Sequence, residues 1–146
     1  MIRLMQDKDK NEYFEMSRAF YSSGAALEEI PEERRKSFWQ EIMLGQYIKG
    51  YIIESAGEVA GYALAFIFAS QEAGGKVMFI DELFVKQKFR GKGLGKEFFA
   101  FAEKTDGIAA FRMEVESDNA RAIKLYESLG YKRLDYMQMI KHVKRG

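Results

Sequence analysis

Apolar side chains change their spacing along this chain, and the changes divide it into elements. Residues 2–5, Ile-Arg-Leu-Met, read as a short first strand. Asp7 or Asp9 can cap a helix reaching about Tyr21, in which Tyr13, Met16 and Phe20 lie three and four residues apart and so share a face. A second helix follows. Pro31 suits its first turn, Glu32 and Glu33 suit the positive end of its dipole, Phe38, Ile42 and Met43 supply the apolar stripe, and Gly45 ends it. The period then changes. Residues 47–54 and 59–70 are rich in Tyr, Ile, Val and Phe and predict two strands, joined as a hairpin through Ser55-Ala56-Gly57-Glu58. A polar turn at 71–75 leads to a strand at 77–85, and 93–105 reads as a helix with Leu94, Phe98 and Phe101 on one side. Residues 108–115 predict a further strand, Asp118 can cap a helix over 119–129 that stops at Gly130, and 131–143 read as one or two closing strands. The order β-α-α-β-β-β-α-β-α-β-β implies an α/β fold, a mixed sheet with helices on both faces.

Composition narrows the chemistry. The 146 residues hold no repeat and no linker rich in Pro, Gly or Ser, so a single domain over 1–146 is expected. A chain of this length buries roughly two-thirds of the surface its unfolded form exposes, so its core needs neither a disulfide nor a metal. With no cysteine there is no disulfide, no Cys-ligated zinc or iron–sulfur site and no thiol nucleophile, a usage that suits a reducing, cytoplasmic compartment. His142 is the single histidine, which excludes a His-based metal cluster and leaves a Ser-His-Asp triad hanging on a residue near the chain end; no metal is expected. Residues 1–10 carry charges where a signal peptide has an apolar core, and the longest apolar run, 62–69, is far below membrane-spanning length, so no membrane partner is expected. The balance of 23 basic and 22 acidic residues argues against nucleic acid as a partner.

That balance hides a polarity. Lys86, Lys88, Arg90, Lys92 and Lys96 put five cations into eleven residues without an acid, leaving 18 basic against 22 acidic residues elsewhere. Within the basic stretch stands Arg90-Gly91-Lys92-Gly93-Leu94-Gly95-Lys96, between the strand ending at Val85 and an amphipathic helix. Glycines let the backbone turn tightly and let an anion approach the N–H groups of a helix start. The dinucleotide pattern G-x-G-x-x-G fails here, because its third glycine falls on Lys96 or Phe98; a P-loop fails because Lys96 is followed by Glu97. Phosphate remains the expected ligand, against the plainer reading of a glycine-eased corner with a solvated basic face.

A second set of residues follows. Glu114 lies on the next strand, and Asn119 and Tyr126 stand seven positions apart on the last helix, almost two turns, so both project from nearly the same face with Ala122 between them. Plainer roles exist for each: a solvent-facing strand residue for Glu114, a helix-start residue for Asn119, a core aromatic for Tyr126.

Taken together, Arg90-x-x-Gly93-x-Gly95 and the segment from Asn119 through Gly130-Tyr131 resemble the GNAT superfamily of acyl-CoA-dependent N-acyltransferases, closely over the second half of the chain and only in element order over the first. The resemblance implies a central, mostly antiparallel twisted sheet of about six or seven strands with four helices, and acetyl-CoA as co-substrate. It implies that the loop amides of Gly91, Lys92, Gly93, Leu94, Gly95 and Lys96, with Arg90, hold the CoA pyrophosphate. The backbone of Leu83, Phe84 and Val85 would pair with the pantetheine arm and aim an N–H at the thioester carbonyl. Asn119 would contact the cofactor arm and Tyr126 would protonate the departing thiolate. Glu114 matches the position of the general base in protein N-terminal acetyltransferases, and Glu82 is its rival, by analogy with acids at this point of the strand in small-amine acetyltransferases.

The chemistry is consistent with these roles. An amine of pKa near 10 is neutral in about one molecule in a thousand at pH 7, so a carboxylate must take its proton before attack. A chain without cysteine has no thiol to carry the acyl group, which selects direct attack in a ternary complex. Asp81 and Glu82 precede the cofactor segment on one strand, and alternation puts them on opposite faces unless a bulge intervenes. Tyr21, Phe38, Trp39 and Glu72 are candidates to line the acceptor pocket. The expected acceptor is a small cationic amine; a protein N-terminus or lysine, or a non-catalytic acyl-CoA-binding module, are the alternatives, and a homodimer stays open.

Overall fold

The pattern of long apolar runs builds a single sheet. The computed structural model describes residues 1–24, 26 and 28–144, and among these five strands pair in chain order: β1 (Ile2–Leu4), β2 (Lys49–Ser55), β3 (Glu58–Ser70), β4 (Gly75–Val85) and β5 (Ile108–Met113). Every neighbouring pair is antiparallel except β4 and β5, which run parallel. The β2–β3 hairpin closes through Ala56 (φ 51°) and Gly57 (φ 80°), two left-handed residues in succession, the turn whose twist matches that of paired strands.

Among the described residues four α-helices accompany the sheet: α1 (Lys10–Ser22), α2 (Glu32–Leu44), α3 (Leu94–Ala102) and α4 (Ala120–Ser128). They fall where the periodicity predicts them, with small shifts at the ends. Pro31 stands just before α2, and Gly45, at φ 66°, closes it. Asn119 rather than Asp118 caps α4, its Oδ1 accepting the Ala122 N–H at 3.2 Å. Asp9 flanks α1 but makes no side-chain cap to it; its carboxylate instead accepts from both terminal guanidinium nitrogens of Arg3, at 2.8 and 2.9 Å, and from the Gln6 N–H at 2.8 Å.

Two compact units make up the chain, Met1–Glu114 and Val115–Gly146. In the first, α1 and α2 cover one face of the sheet: Tyr13, Met16, Trp39 and Ile42 pack with Ile52, Tyr62, Leu64 and Phe84. Tyr51 adjoins Ile52 in β2 and so points to the opposite face, where its ring meets Phe98 and Phe101 of α3 at 5.7 and 5.6 Å between centroids. With both faces covered, β3 buries consecutive residues from Ala60 to Ala65, which is why its sequence is continuously apolar instead of alternating.

The second unit holds α4, whose chain then turns at Gly130 (φ 94°), with the Tyr131 N–H donating back to the Tyr126 carbonyl at 3.0 Å. The closing strands expected over 131–143 do not form: no strand occurs at residues 131–144, so the sheet has five strands where six or seven were expected. The segment has the apolar content of a strand, but Leu134, Met137, Met139, Ile140 and Val143 are all exposed. Without a paired ladder or a buried face, apolar composition alone does not make a strand.

Candidate active site

The two halves of β4 are paired differently, and the site grows from that difference. Parallel pairing with β5 runs from Lys76↔Ile108 to Ile80↔Met113 and stops, while β4 continues to Val85. Along this continuation the β3 side stays paired, Glu82 opposite Leu64 through Val85 opposite Gly61. The Lys86 N–H donates to the Ala60 carbonyl at 2.8 Å. By the alternation of an antiparallel ladder, Glu82 and Phe84 therefore turn their backbone groups toward β3, and Leu83 and Val85 turn theirs toward the edge that β5 does not reach. Arg90 Nε–H donates to the Val85 carbonyl on that edge at 2.9 Å. An extended arm carrying amides can pair with such an edge, and the Leu83 N–H is a donor available to an oxyanion.

Beyond β4 the chain enters the basic loop. Gly91 (φ 79°) and Gly93 (φ 78°) are both left-handed, and open space surrounds the position of a Cβ at each, so glycine is needed there for conformation and not for room. Gly93 is the N-cap of α3 and lacks a side chain to cap it; the helix ladder begins with the Glu97 N–H to the Gly93 carbonyl at 3.0 Å. The N–H groups of Leu94, Gly95 and Lys96 lie before that first bond, where a helix has no acceptor of its own, and the helix dipole adds positive potential. The five cations divide. Lys86 pairs with Glu12 at 2.9 Å and Lys88 with Glu58 at 3.8 Å, whereas Arg90, Lys92 and Lys96 meet no carboxylate among the described residues. The loop thus combines backbone donors with positive charge that no carboxylate among the described residues neutralises, an arrangement suited to a pyrophosphate.

Three carboxylates stand where β4 and β5 part. On β4, Ala65 pairs with Ile80 and Leu64 with Glu82, so Asp81 is an extra residue, a bulge that resets the alternation. The bulge places Asp81 in an open groove of about 470 Å³ on the α1–α2 side, lined also by Phe38, Glu41, Gln46, Tyr47, Ile48, Phe66, Ile67 and Phe68. Although Asp81 is exposed, desolvation by the surrounding walls, then the negative charge of Glu114, hold its carboxyl above the usual carboxylate range. Glu114, exposed, follows Met113 directly after the last β4–β5 pair.

Glu82 is the buried member, 7% exposed. Its Oε2 accepts the Tyr21 hydroxyl at 2.5 Å and its Oε1 the Tyr62 hydroxyl at 2.7 Å. Burial raises its pKa; the two hydroxyls and Arg35 oppose the rise, Asp81 adds to it, and the result lies above the ordinary value. The same burial, together with the Glu82 charge, raises Tyr21 and Tyr62, keeping both hydroxyls protonated as donors. Arg35 of α2, also buried, donates from Nε to Ser17 Oγ at 2.8 Å and pairs with Glu32 at 2.5 Å. Tyr13 lies between, its ring 5.1 Å from Tyr62 and 5.6 Å from Trp39.

In the second unit Asn119 and Tyr126 keep to one helix, with Asn119 at its cap and Tyr126 half-buried against Tyr131, ring centroids 6.2 Å apart. Burial raises the Tyr126 pKa, so the phenol holds its proton through neutral pH.

Sequence reasoning missed the network behind Glu82 and most of the groove. Arg35 carried a readable signal: it lies four and seven residues before Trp39 and Ile42, on the stripe that α2 buries, and a cation on a buried stripe requires a polar partner. Of the residues expected to line the pocket, Phe38 lines the groove and Tyr21 holds Glu82; Trp39 is core, 5% exposed, and Glu72 is exposed in the β3–β4 turn. Among the described residues no group of three or more His, Asp or Glu is placed to hold a metal ion, and no helix is long and apolar enough to cross a membrane.

Residues 10–131 match the sequence profile of the acetyltransferase (GNAT) family. The chain belongs to that family. Among curated GNAT relatives, N-alpha-acetyltransferase 40 of Saccharomyces cerevisiae is 31% identical over 107 residues, 66% of this chain and 35% of that protein, so the chain spans about a third of its length. The fold of a possible acetyltransferase from Clostridium difficile 630 superposes with a TM-score of 0.85 at 19% identity, over 99% of this chain and 98% of that one. A second fold neighbour is AAC(6')-Iy in complex with a bisubstrate analogue, CoA-S-monomethyl-acetylneamine, at TM-score 0.75 and 19% identity, over 99% and 97% of the two chains. At these identities the structures establish the fold.

Proposed function

We propose that this chain transfers an acetyl group from acetyl-CoA to a small cationic amine by direct attack in a ternary complex. The observation that carries the reading is the continuity of the unpaired β4 edge with the glycine loop: backbone groups of Leu83 and Val85, then the amides of residues 91–96, offer an amide-bearing arm and a pyrophosphate their partners in sequence. Arg90, Lys92 and Lys96 supply charge there. The Leu83 N–H donates to the thioester oxygen as it becomes an oxyanion.

On the acceptor side, the ammonium loses a proton to a carboxylate before its nitrogen attacks the acetyl carbon. Glu114 is the base in this reading, since it is exposed at the end of the β4–β5 pairing and both oxygens of Glu82 are occupied by tyrosine hydroxyls. Glu82 then fixes the upper half of β4 through Tyr21 and Tyr62. Asn119 contacts the cofactor arm and Tyr126 returns a proton to the sulfur, a role suited to a phenol kept neutral by burial. A second acceptor class, the protein N-terminus, is favoured by the identity to N-alpha-acetyltransferase 40.

The test is release of CoA thiol from acetyl-CoA in the presence of single amines. Turnover is expected with a small amine, and Tyr126→Phe is expected to lower kcat about tenfold to hundredfold with the Kd for CoA little changed. An unaffected rate removes Tyr126 as the acid, and absence of any turnover with bound acetyl-CoA favours the non-catalytic acyl-CoA-binding module.

A further inference from the structure

The groove on the α1–α2 side of the sheet is chemically uneven. Most of its lining is aromatic or aliphatic, while the charged members among the described lining residues are two acids, Glu41 and Asp81. Phe66 and Phe68, two apart on β3, present their rings to one face, 5.9 Å between centroids, and Phe66 stacks on Phe79 across the strand pair at 4.9 Å and 17°. Phe38 of α2 faces the same space. The bulge puts the Asp81 carboxylate into this groove two residues before Leu83, whose N–H lies on the open edge of β4. A volume of about 470 Å³ falls in the usual range of small-molecule clefts.

We propose that this groove selects the acceptor in the N-acetyltransferase reading above, on which the proposal rests, and that it takes an arylalkylamine. The single ammonium pairs with Asp81 and the aromatic body lies on Phe66, Phe68 and Phe38. Charge complementarity decides the occupant. A polyamine spreads several cations along a flexible chain and leaves the phenylalanine wall without an apolar partner. An aminoglycoside brings hydroxyls that such a wall cannot hydrogen-bond, so its desolvation goes uncompensated. A monoamine with an aromatic ring satisfies both parts at once, the ring in stacked or edge contact and the ammonium on a carboxylate.

The transfer balances with groups already named. The ammonium gives one proton to a carboxylate, and the neutral nitrogen bonds to the acetyl carbon. The C–S bond breaks with its electron pair on sulfur, the sulfur takes up a proton, and the nitrogen loses its second one. An arylalkylammonium and acetyl-CoA become the N-acetyl amide, CoA thiol and one proton released to water.

The experiment measures kcat/KM by CoA release for 2-phenylethylamine, spermidine, an aminoglycoside and a short peptide with a free N-terminus, with acetyl-CoA binding followed by calorimetry on the same protein. The wild-type chain is expected to favour 2-phenylethylamine at least tenfold over each of the others. Phe68→Ala is expected to raise KM for 2-phenylethylamine about tenfold while the Kd for acetyl-CoA stays in place. The wild-type profile stands whether or not that variant folds. Equal or better use of spermidine, the aminoglycoside or the peptide overturns the acceptor assignment and leaves the acetyltransferase reading standing, as does bound acetyl-CoA with no turnover of 2-phenylethylamine by a chain that uses another amine. Failure to bind acetyl-CoA overturns both.

Discussion

The two halves of β4 belong to one strand and have opposite characters. From Gly75 to Ile80 it is a sheet interior, paired with β3 on one side and β5 on the other, and Val77 and Met78 are 0% and 1% exposed. From Asp81 to Val85 it has lost β5, carries a bulge, holds a buried carboxylate and runs into the basic loop. The lower half spends its backbone hydrogen bonds on the sheet, and the upper half leaves the side away from β3 without a neighbouring strand. The proposed function sits where pairing stops, because main-chain donors freed from the sheet can serve a second partner.

Substitutions on either side of Asp81 can break this contrast. The largest expected effect belongs to the lower half: Met78→Ala leaves a cavity in a fully buried site and is expected to cost about 2–5 kcal/mol of stability. Denaturant unfolding reads that loss, and the folded protein is expected to keep its Kd for acetyl-CoA. A weakened Kd at full folding would show that the lower half also serves the ligand.

Gly93→Val, beyond the upper half, is the converse. The position is left-handed with open space around a Cβ, so the strain is conformational, about 1–3 kcal/mol. Calorimetry is expected to show acetyl-CoA affinity falling by about tenfold to hundredfold as the loop amides leave their alignment. An unchanged affinity would detach the loop from the cofactor.

Glu82→Gln sharpens the comparison by a smaller amount. Burial holds the Glu82 carboxyl above its ordinary value of 4.5, so the folded chain binds this proton more tightly than the unfolded chain does. Stability from this group is full below the unfolded pKa and is lost as pH rises through the raised folded one. Unfolding free energy measured across that interval is expected to fall with pH more in the wild type than in Glu82→Gln, and the two curves are expected to run parallel at higher pH. A constant difference at every pH contradicts the assignment.

Much of this contrast could be read in the sequence, and the unread part has a common cause. The helices and the first five strands follow from local periodicity, and Gly91 and Gly93 announce their loop because left-handed backbone is a local demand. The end of β4–β5 pairing and the bulge at Asp81 are agreements between strands distant in sequence, so nothing at 81 marks them. The expectation that Asp81 and Glu82 face opposite sides held only in the absence of such a bulge. Residues 131–143 mislead for the same reason: Tyr, Leu, Met and Ile there look like strands until no neighbour pairs with them. The network of Arg35, Ser17 and the tyrosines joins α1, α2, β3 and β4, and only the misplaced cation of α2 hinted at it.

The central claim is that the upper half of β4 reserves alternate backbone groups for acetyl-CoA, and residue-resolved amide hydrogen exchange with and without the ligand tests it most directly. In the free protein the amides of Leu83 and Val85 are expected to exchange faster than those of Glu82 and Phe84, which face β3, and saturating acetyl-CoA is expected to slow Leu83 and Val85 selectively. Bound acetyl-CoA that leaves both rates unchanged would contradict the account.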